Sequence, residues 1–170
     1  PGYGSSYVNF YGGIGILFEQ ASSRGHLQET TTIPLTFAFT IRNQFKASLA
    51  TVRASVGEKV MLRKLRKDFF SSALSQAKAS PIKAYVFGES KDATRTNAFI
   101  NLLLMHQIEV YETGQTVTTA GNTFEKGKSY IVPTEQTNYI MVRSAFEKDI
   151  TYRDSTFYDA STWSLVHAFN

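Results

Sequence analysis

A single carboxylate, Glu19, closes the apolar run Ile14-Gly15-Ile16-Leu17-Phe18 and precedes the polar stretch Gln20-Ala21-Ser22-Ser23-Arg24-Gly25. The run reads as a short strand, fed by the Gly/Ser/Tyr-rich loop that begins near Gly4. An acid at such a strand end has apolar neighbours on one side and room for a substrate on the other. Burial beside the strand would raise its pKa and suit it to act first as general base and then as general acid. The competing reading is an acid that only terminates a strand, because structural networks perturb carboxylates as well. A second constellation is His26-Leu27-Gln28-Glu29, whose His-x-x-Glu spacing, with His167 as a third partner, would make a two-His, one-Glu zinc set. A four-residue match is frequent by chance and counts only in its structural context. We read His26 as part of a surface turn, His106 as a packing residue on a helix flank, His167 as structural and Arg24 as an ordinary turn arginine.

The loop Gly4-Ser5 and the pair Phe18-Glu19 resemble the end of the catalytic domain in zinc metallocarboxypeptidases of the carboxypeptidase A type. The longer string Leu17-Phe18-Glu19-Gln20-Ala21-Ser22-Ser23-Arg24-Gly25 is similar to a branch of long bacterial carboxypeptidase-like proteins. In that branch the peptidase domain is followed by a domain resembling class I glutamine amidotransferases. The tail Phe157-Tyr158-Asp159-Ala160-Ser161-Thr162-Trp163 also looks like that branch, so the resemblance covers most of the chain, although only Glu19 carries chemistry.

The resemblance implies that Glu19 promotes attack by a zinc-bound water on the last peptide bond of a peptide, and then protonates the leaving amine. In the family both zinc-ligand sites precede this Glu, whereas His26 follows Glu19. The ligands and the arginines that hold the substrate carboxylate would therefore lie upstream of Pro1. Zinc is expected in an intact parent, and no zinc, cofactor or turnover in this chain alone. The same resemblance implies packing against a missing N-terminal peptidase half and a periplasmic or secreted location. Tyr3 stands too close to Ser5 to inherit the family's mobile-loop tyrosine role. Set against the peptidase is a non-catalytic α/β binding or scaffold module in which Glu19 is only a strand terminus.

Composition allows both. The chain has 170 residues, 42% hydrophobic and 19% charged, which suits one domain or two small ones. It carries a net charge of +4. The densest basic run, Arg63-Lys64-Leu65-Arg66-Lys67, falls within a helical pattern and reads as a solvated face rather than a nucleic-acid contact. The absence of cysteine excludes disulfides, thiolate metal sites and the amidotransferase nucleophile. No apolar run reaches the roughly 18 residues of a membrane span. The opening Pro1-Gly2-Tyr3-Gly4 carries neither a charged stretch nor an apolar core, so no signal peptide is read there, and it looks like a cut through a loop of a longer protein.

The elements that would position these residues follow in order. Ile33 to Phe39 reads as extended. From Ile41 to Ala79 apolar residues at three- and four-residue steps (Phe45, Leu49, Val52, Val56, Val60, Leu62, Leu65, Phe69, Ala73) predict a long helix with its stripe in a core, kinked at Gly57 and stopped at Ser80-Pro81. A domain boundary is placed at Pro81, giving residues 1–80 as the end of a carboxypeptidase-like domain and 81–170 as part of an amidotransferase-like accessory domain. Ile82–Gly88, Ala93–Gln107 and Ile108–Glu112 predict a strand, a helix and a strand, with the strands parallel and the crossover right-handed. A hairpin around Gly121-Asn122, a strand at Ser129–Pro133 and a helix at Glu135–Phe146 complete an α/β fold, expected as a small or truncated flavodoxin-like three-layer unit.

Overall fold

The computed structural model describes residues 4–89, 91–148 and 165–169. The chain divides into two compact units, one formed by Pro1–Gly15 with Lys67–Asn170, the other by Ile16–Arg66. Pro81 lies inside the first of these.

In the smaller unit two short strands, β1 (Leu27–Gln28) and β2 (Leu35–Thr36), pair antiparallel. Helix α2 (Phe37–Gly57) begins where Thr36 turns extended and its Oγ1 accepts the Phe39 N–H at 3.1 Å. That bond satisfies one of the four orphan donors of the first turn. Gly57 ends α2, and a second helix, α3 (Lys59–Ala79), follows after Glu58. The predicted long helix is thus two helices, broken at the glycine. Most of its apolar stripe is not core: Phe45, Val52, Val56 and Val60 are exposed, α2 contains no buried residue, and of the predicted stripe only Ala73 is buried. Spacing sets which side chains share a face, and burial needs a second surface, which the described residues do not supply.

The larger unit opens with α1 (Gly4–Tyr7) and a 3-10 turn at Val8–Tyr11, closed by Gly12 in the left-handed region at φ +68°. A Cβ at Gly12 would fall 2.9 Å from Phe69 Cδ1, so the site requires glycine on both counts. From α3 only Ala73 and Ala77 are buried, against Tyr139. Strand β3 (Ala84–Phe87) leads to α4 (Ala93–Met105), capped by Asp92 Oδ1 on the Arg95 N–H at 2.9 Å. Strand β4 (Tyr111–Glu112) is followed by the hairpin of β5 (Val117–Thr119) and β6 (Asn122–Phe124), then β7 (Tyr130–Pro133), α5 (Tyr139–Phe146) and α6 (Leu165–Ala168).

The three-stranded sheet has the order β3-β7-β4, with β7 antiparallel to both neighbours. The expected parallel direction of β3 and β4 is met without direct pairing. The two strands do run in the same direction, but β7 lies between them. The β5–β6 hairpin reverses the chain and returns Tyr130-Ile131-Val132-Pro133, whose Val132 is fully buried, into the central position. A mixed α/β chain with small sheets results. The core of the unit is Phe99, Leu103 and Ile108 below the sheet strand residue Val132, with Met141, Val142, Ala145 and Phe146 from α5.

Two buried polar residues fasten the edges of this sheet. The Thr134 hydroxyl donates toward the carbonyls of Ile82 and Lys83, each at 2.9 Å. Gln136 accepts the Glu109 N–H at 2.8 Å and donates to the Pro133 carbonyl at 2.7 Å. Each bond satisfies a backbone group that burial would otherwise leave unpaired.

Candidate functional site

Glu19 sits on irregular, exposed chain rather than at the tip of a buried strand. This corrects the expectation for Ile14–Phe18. A strand exists only through its ladder, and no neighbouring strand pairs with this segment among the described residues. Its side chains are correspondingly open: Ile14, Ile16, Leu17 and Phe18 are 53%, 59%, 65% and 50% exposed. Next to Glu19, the side-chain oxygen Oε1 of Gln20 is buried with no hydrogen-bond partner.

The other candidates are scattered. His26 and Glu29 are both exposed, in the smaller unit, and the His26 carbonyl accepts the Phe37 N–H at 2.9 Å as α2 starts. Arg24 is exposed, and its backbone N–H donates to Gln28 Oε1. His167 is an exposed residue of α6. Among the described residues no three His, Cys, Asp or Glu come together in a way that could hold a metal ion. Tyr3 and the segment Phe157–Trp163 lie outside the described residues.

His106 is a packing residue with a polar role that its spacing did not disclose. It caps the C-terminus of α4, where its N–H reaches the carbonyls of Leu102 and Leu103. Its Nδ1 lies 2.9 Å from the Tyr7 hydroxyl and 3.0 Å from that of Tyr11. The Tyr11 hydroxyl also donates to the His106 carbonyl at 3.2 Å. Burial, followed by the hydrogen bond and charge of Tyr7, holds the Tyr11 phenol above its ordinary pKa. These residues are 95 and 99 positions apart, and nothing in the local pattern pairs them.

The larger unit also contains a cavity of about 920 Å³ between β3, the β5–β6 hairpin and α5. Its floor is aromatic: Tyr85, Phe87, Phe99 and Phe146. Two of its buried hydroxyls are already engaged. Thr96 Oγ1 accepts the Glu89 N–H and donates to the Asp92 carbonyl. Ser129 Oγ lies 2.6 Å from Thr113 Oγ1 and donates to the Glu125 carbonyl. The arrangement can receive an apolar group against its aromatic side chains.

No protein-family model, curated protein or solved structure matches this chain.

Proposed function

We propose that the chain is part of a zinc-dependent, carboxypeptidase-like peptidase in which Glu19 is the general base for hydrolysis of the C-terminal bond of a peptide. The observation that carries the reading is the condition of Ile14–Glu19. Four large apolar side chains, each half-exposed or more, lead directly to one carboxylate, and an unpartnered buried oxygen follows it. Such a segment fits a strand whose ladder is supplied by further chain. Within the reading, Glu19 takes the proton of an attacking water and returns it to the departing amine. Within the reading, the metal ligands belong to that further chain, upstream of Pro1, and no step is drawn through the metal. Residues 81–170 then serve as an accessory α/β domain, and the protein is exported.

The test is made in the longest reading frame that contains these residues. Glu19→Gln should abolish release of the C-terminal amino acid from peptides while leaving bound zinc unchanged, and the chain alone should take up no stoichiometric zinc by calorimetry. Full activity of Glu19→Gln, or a tight zinc site in the chain alone, overturns the reading.

The cavity supports a second reading, a non-catalytic α/β binding module, because a concave site of this size with an aromatic lining is characteristic of small-molecule sites. A reading frame lacking an upstream His-x-x-Glu and a later His would favour it.

A further inference from the structure

Strand β3 is an edge strand, and its open side borders the cavity. In the sheet order β3-β7-β4 it has β7 on one side and no strand on the other among the described residues. The register shows which of its backbone groups are left over. The Thr134 N–H donates to the Lys83 carbonyl at 2.9 Å, so these two residues form a hydrogen-bonded pair. Bonded and non-bonded pairs alternate along an antiparallel ladder. Tyr85 with Val132 and Phe87 with Tyr130 are therefore bonded pairs, and Ala84 with Pro133 and Val86 with Ile131 are not. Pro133 agrees with this, having no N–H to give to Ala84. The N–H and C=O groups of Ala84 and Val86 thus point away from β7, and no other described group bonds them.

Ala84 and Val86 are partly buried, and both line the cavity together with Tyr85 and Phe87. Successive strand residues face opposite sides of a sheet. A cavity lined by four in a row consequently follows the edge of the strand rather than one of its faces.

This combination decides between occupants. An apolar small molecule pressed against Tyr85, Phe87 and Phe146 would take water from four backbone groups and return no hydrogen bond to them. An extended peptide answers both features: its backbone continues the ladder on Ala84 and Val86, and every second side chain faces the aromatic rings. A polyanion is disfavoured, because charges lining the cavity come in opposite-sign pairs, Lys128 with Glu125 at 2.8 Å and Arg143 with Glu147 at 4.0 Å. A single strand needs about 4.8 Å beside β3. A second folded copy pairing through the same edge would also bring its own α5 and β5–β6 hairpin against those that wall the cavity, since a two-fold contact sets each surface against itself.

We infer that the cavity takes an extended peptide as an added strand on β3, with apolar or aromatic side chains at alternate positions against Tyr85, Phe87 and Phe146. This rests on the second reading only in treating the cavity as a binding site, and it does not involve Glu19.

The probe is a fluorescein-labelled peptide of alternating valine and threonine flanked by lysines, titrated with the 170-residue chain and followed by fluorescence anisotropy. Saturable one-to-one binding is expected. Two further peptides carry N-methyl groups on alternate backbone amides, in one phase or the other. Methylation in one phase should weaken binding by about 10-fold or more, because it removes ladder donors, and methylation in the other should be tolerated. Val86→Pro deletes an edge N–H without touching the β7 ladder, a position where a strand accepts proline. It should weaken binding by about 10-fold or more with the circular dichroism spectrum unchanged; if that variant does not fold, the methylated peptides carry the test. No saturable binding below about 1 mM overturns the inference. So does equal binding of the parent and both methylated peptides, which would leave the cavity a binding site and the second reading standing. Self-association that Val86→Pro abolishes, without peptide binding, overturns it in favour of a second copy. Glu19→Gln should leave the affinity unchanged, and a 10-fold loss there would assign the peptide to the Glu19 segment instead.

Discussion

Removing the ring of Phe146 should destabilise the larger unit. Phe146 is 6% exposed and lies in the middle of an aromatic cluster. Its ring stacks on Tyr85 at 4.5 Å and an interplanar angle of 7°, and meets Phe99 at 5.5 Å and Phe87 at 5.9 Å. Truncating a buried Phe to Ala removes its transfer free energy and leaves a cavity, together about 3–5 kcal/mol. With a urea slope of about 2 kcal/mol per M, Phe146→Ala should lower the unfolding midpoint by about 1.5–2.5 M, read by far-ultraviolet circular dichroism. Should that variant be too unstable to purify, Phe146→Leu keeps most of the volume and should cost about 1–1.5 kcal/mol. The matched control is Val60→Ala, whose side chain is 75% exposed and should change stability by no more than about 0.5 kcal/mol. Equal effects of Phe146→Leu and Val60→Ala would refute the assignment of the core to α5, α4 and the sheet.

Two further perturbations probe the same unit. Gly88 has φ +152°, and a Cβ there would strike the Lys128 carbonyl oxygen, so Gly88→Ala should destabilise by about 1–3 kcal/mol in the same urea experiment; an unchanged midpoint would show that the β3 and β7 ends are not in close approach. The Tyr85 phenol is held above its ordinary value of 10.0, first by burial and then by Tyr139 and Glu147, with Arg143 opposing. The folded state thus retains the proton better than the unfolded state. That contribution is present in full below pH 10 and is lost as pH rises through the folded-state pKa. Tyr85→Phe should flatten the alkaline fall in stability, and an identical fall in both proteins would refute the cause given.

Some of this was legible in the sequence because the forces involved are local. The Asp92 cap and the apolar spacing of Phe99 and Leu103 write α4 into its own residues, and Gly57 marks where α2 gives way to α3. Strand identity was legible too, since Ala84–Phe87 and Tyr130–Pro133 are short apolar runs between turn residues. Their pairing was not. Whether β4 or β7 lies beside β3 is decided by which strand can bury both faces, and Val132 achieves that while Tyr111 stays exposed. The clamp on His106 by Tyr7 and Tyr11 is a contact across most of the chain and leaves no periodic signal. The buried strand expected to carry Glu19 was misread: apolar residues before an acid indicate what the segment would bury, and the described residues provide no surface to bury it.

The central place of β7 has a consequence in time. Phe87 leaves the ribosome with both sides of β3 unsatisfied, and its ladder partner among the described residues, beginning at Tyr130, is made later. At about 5–20 residues per second, the intervening stretch takes on the order of 2–9 s. For that interval Tyr85-Val86-Phe87 is a nascent sticky end, and the first helix able to shield it is α4, already complete before β7 arrives.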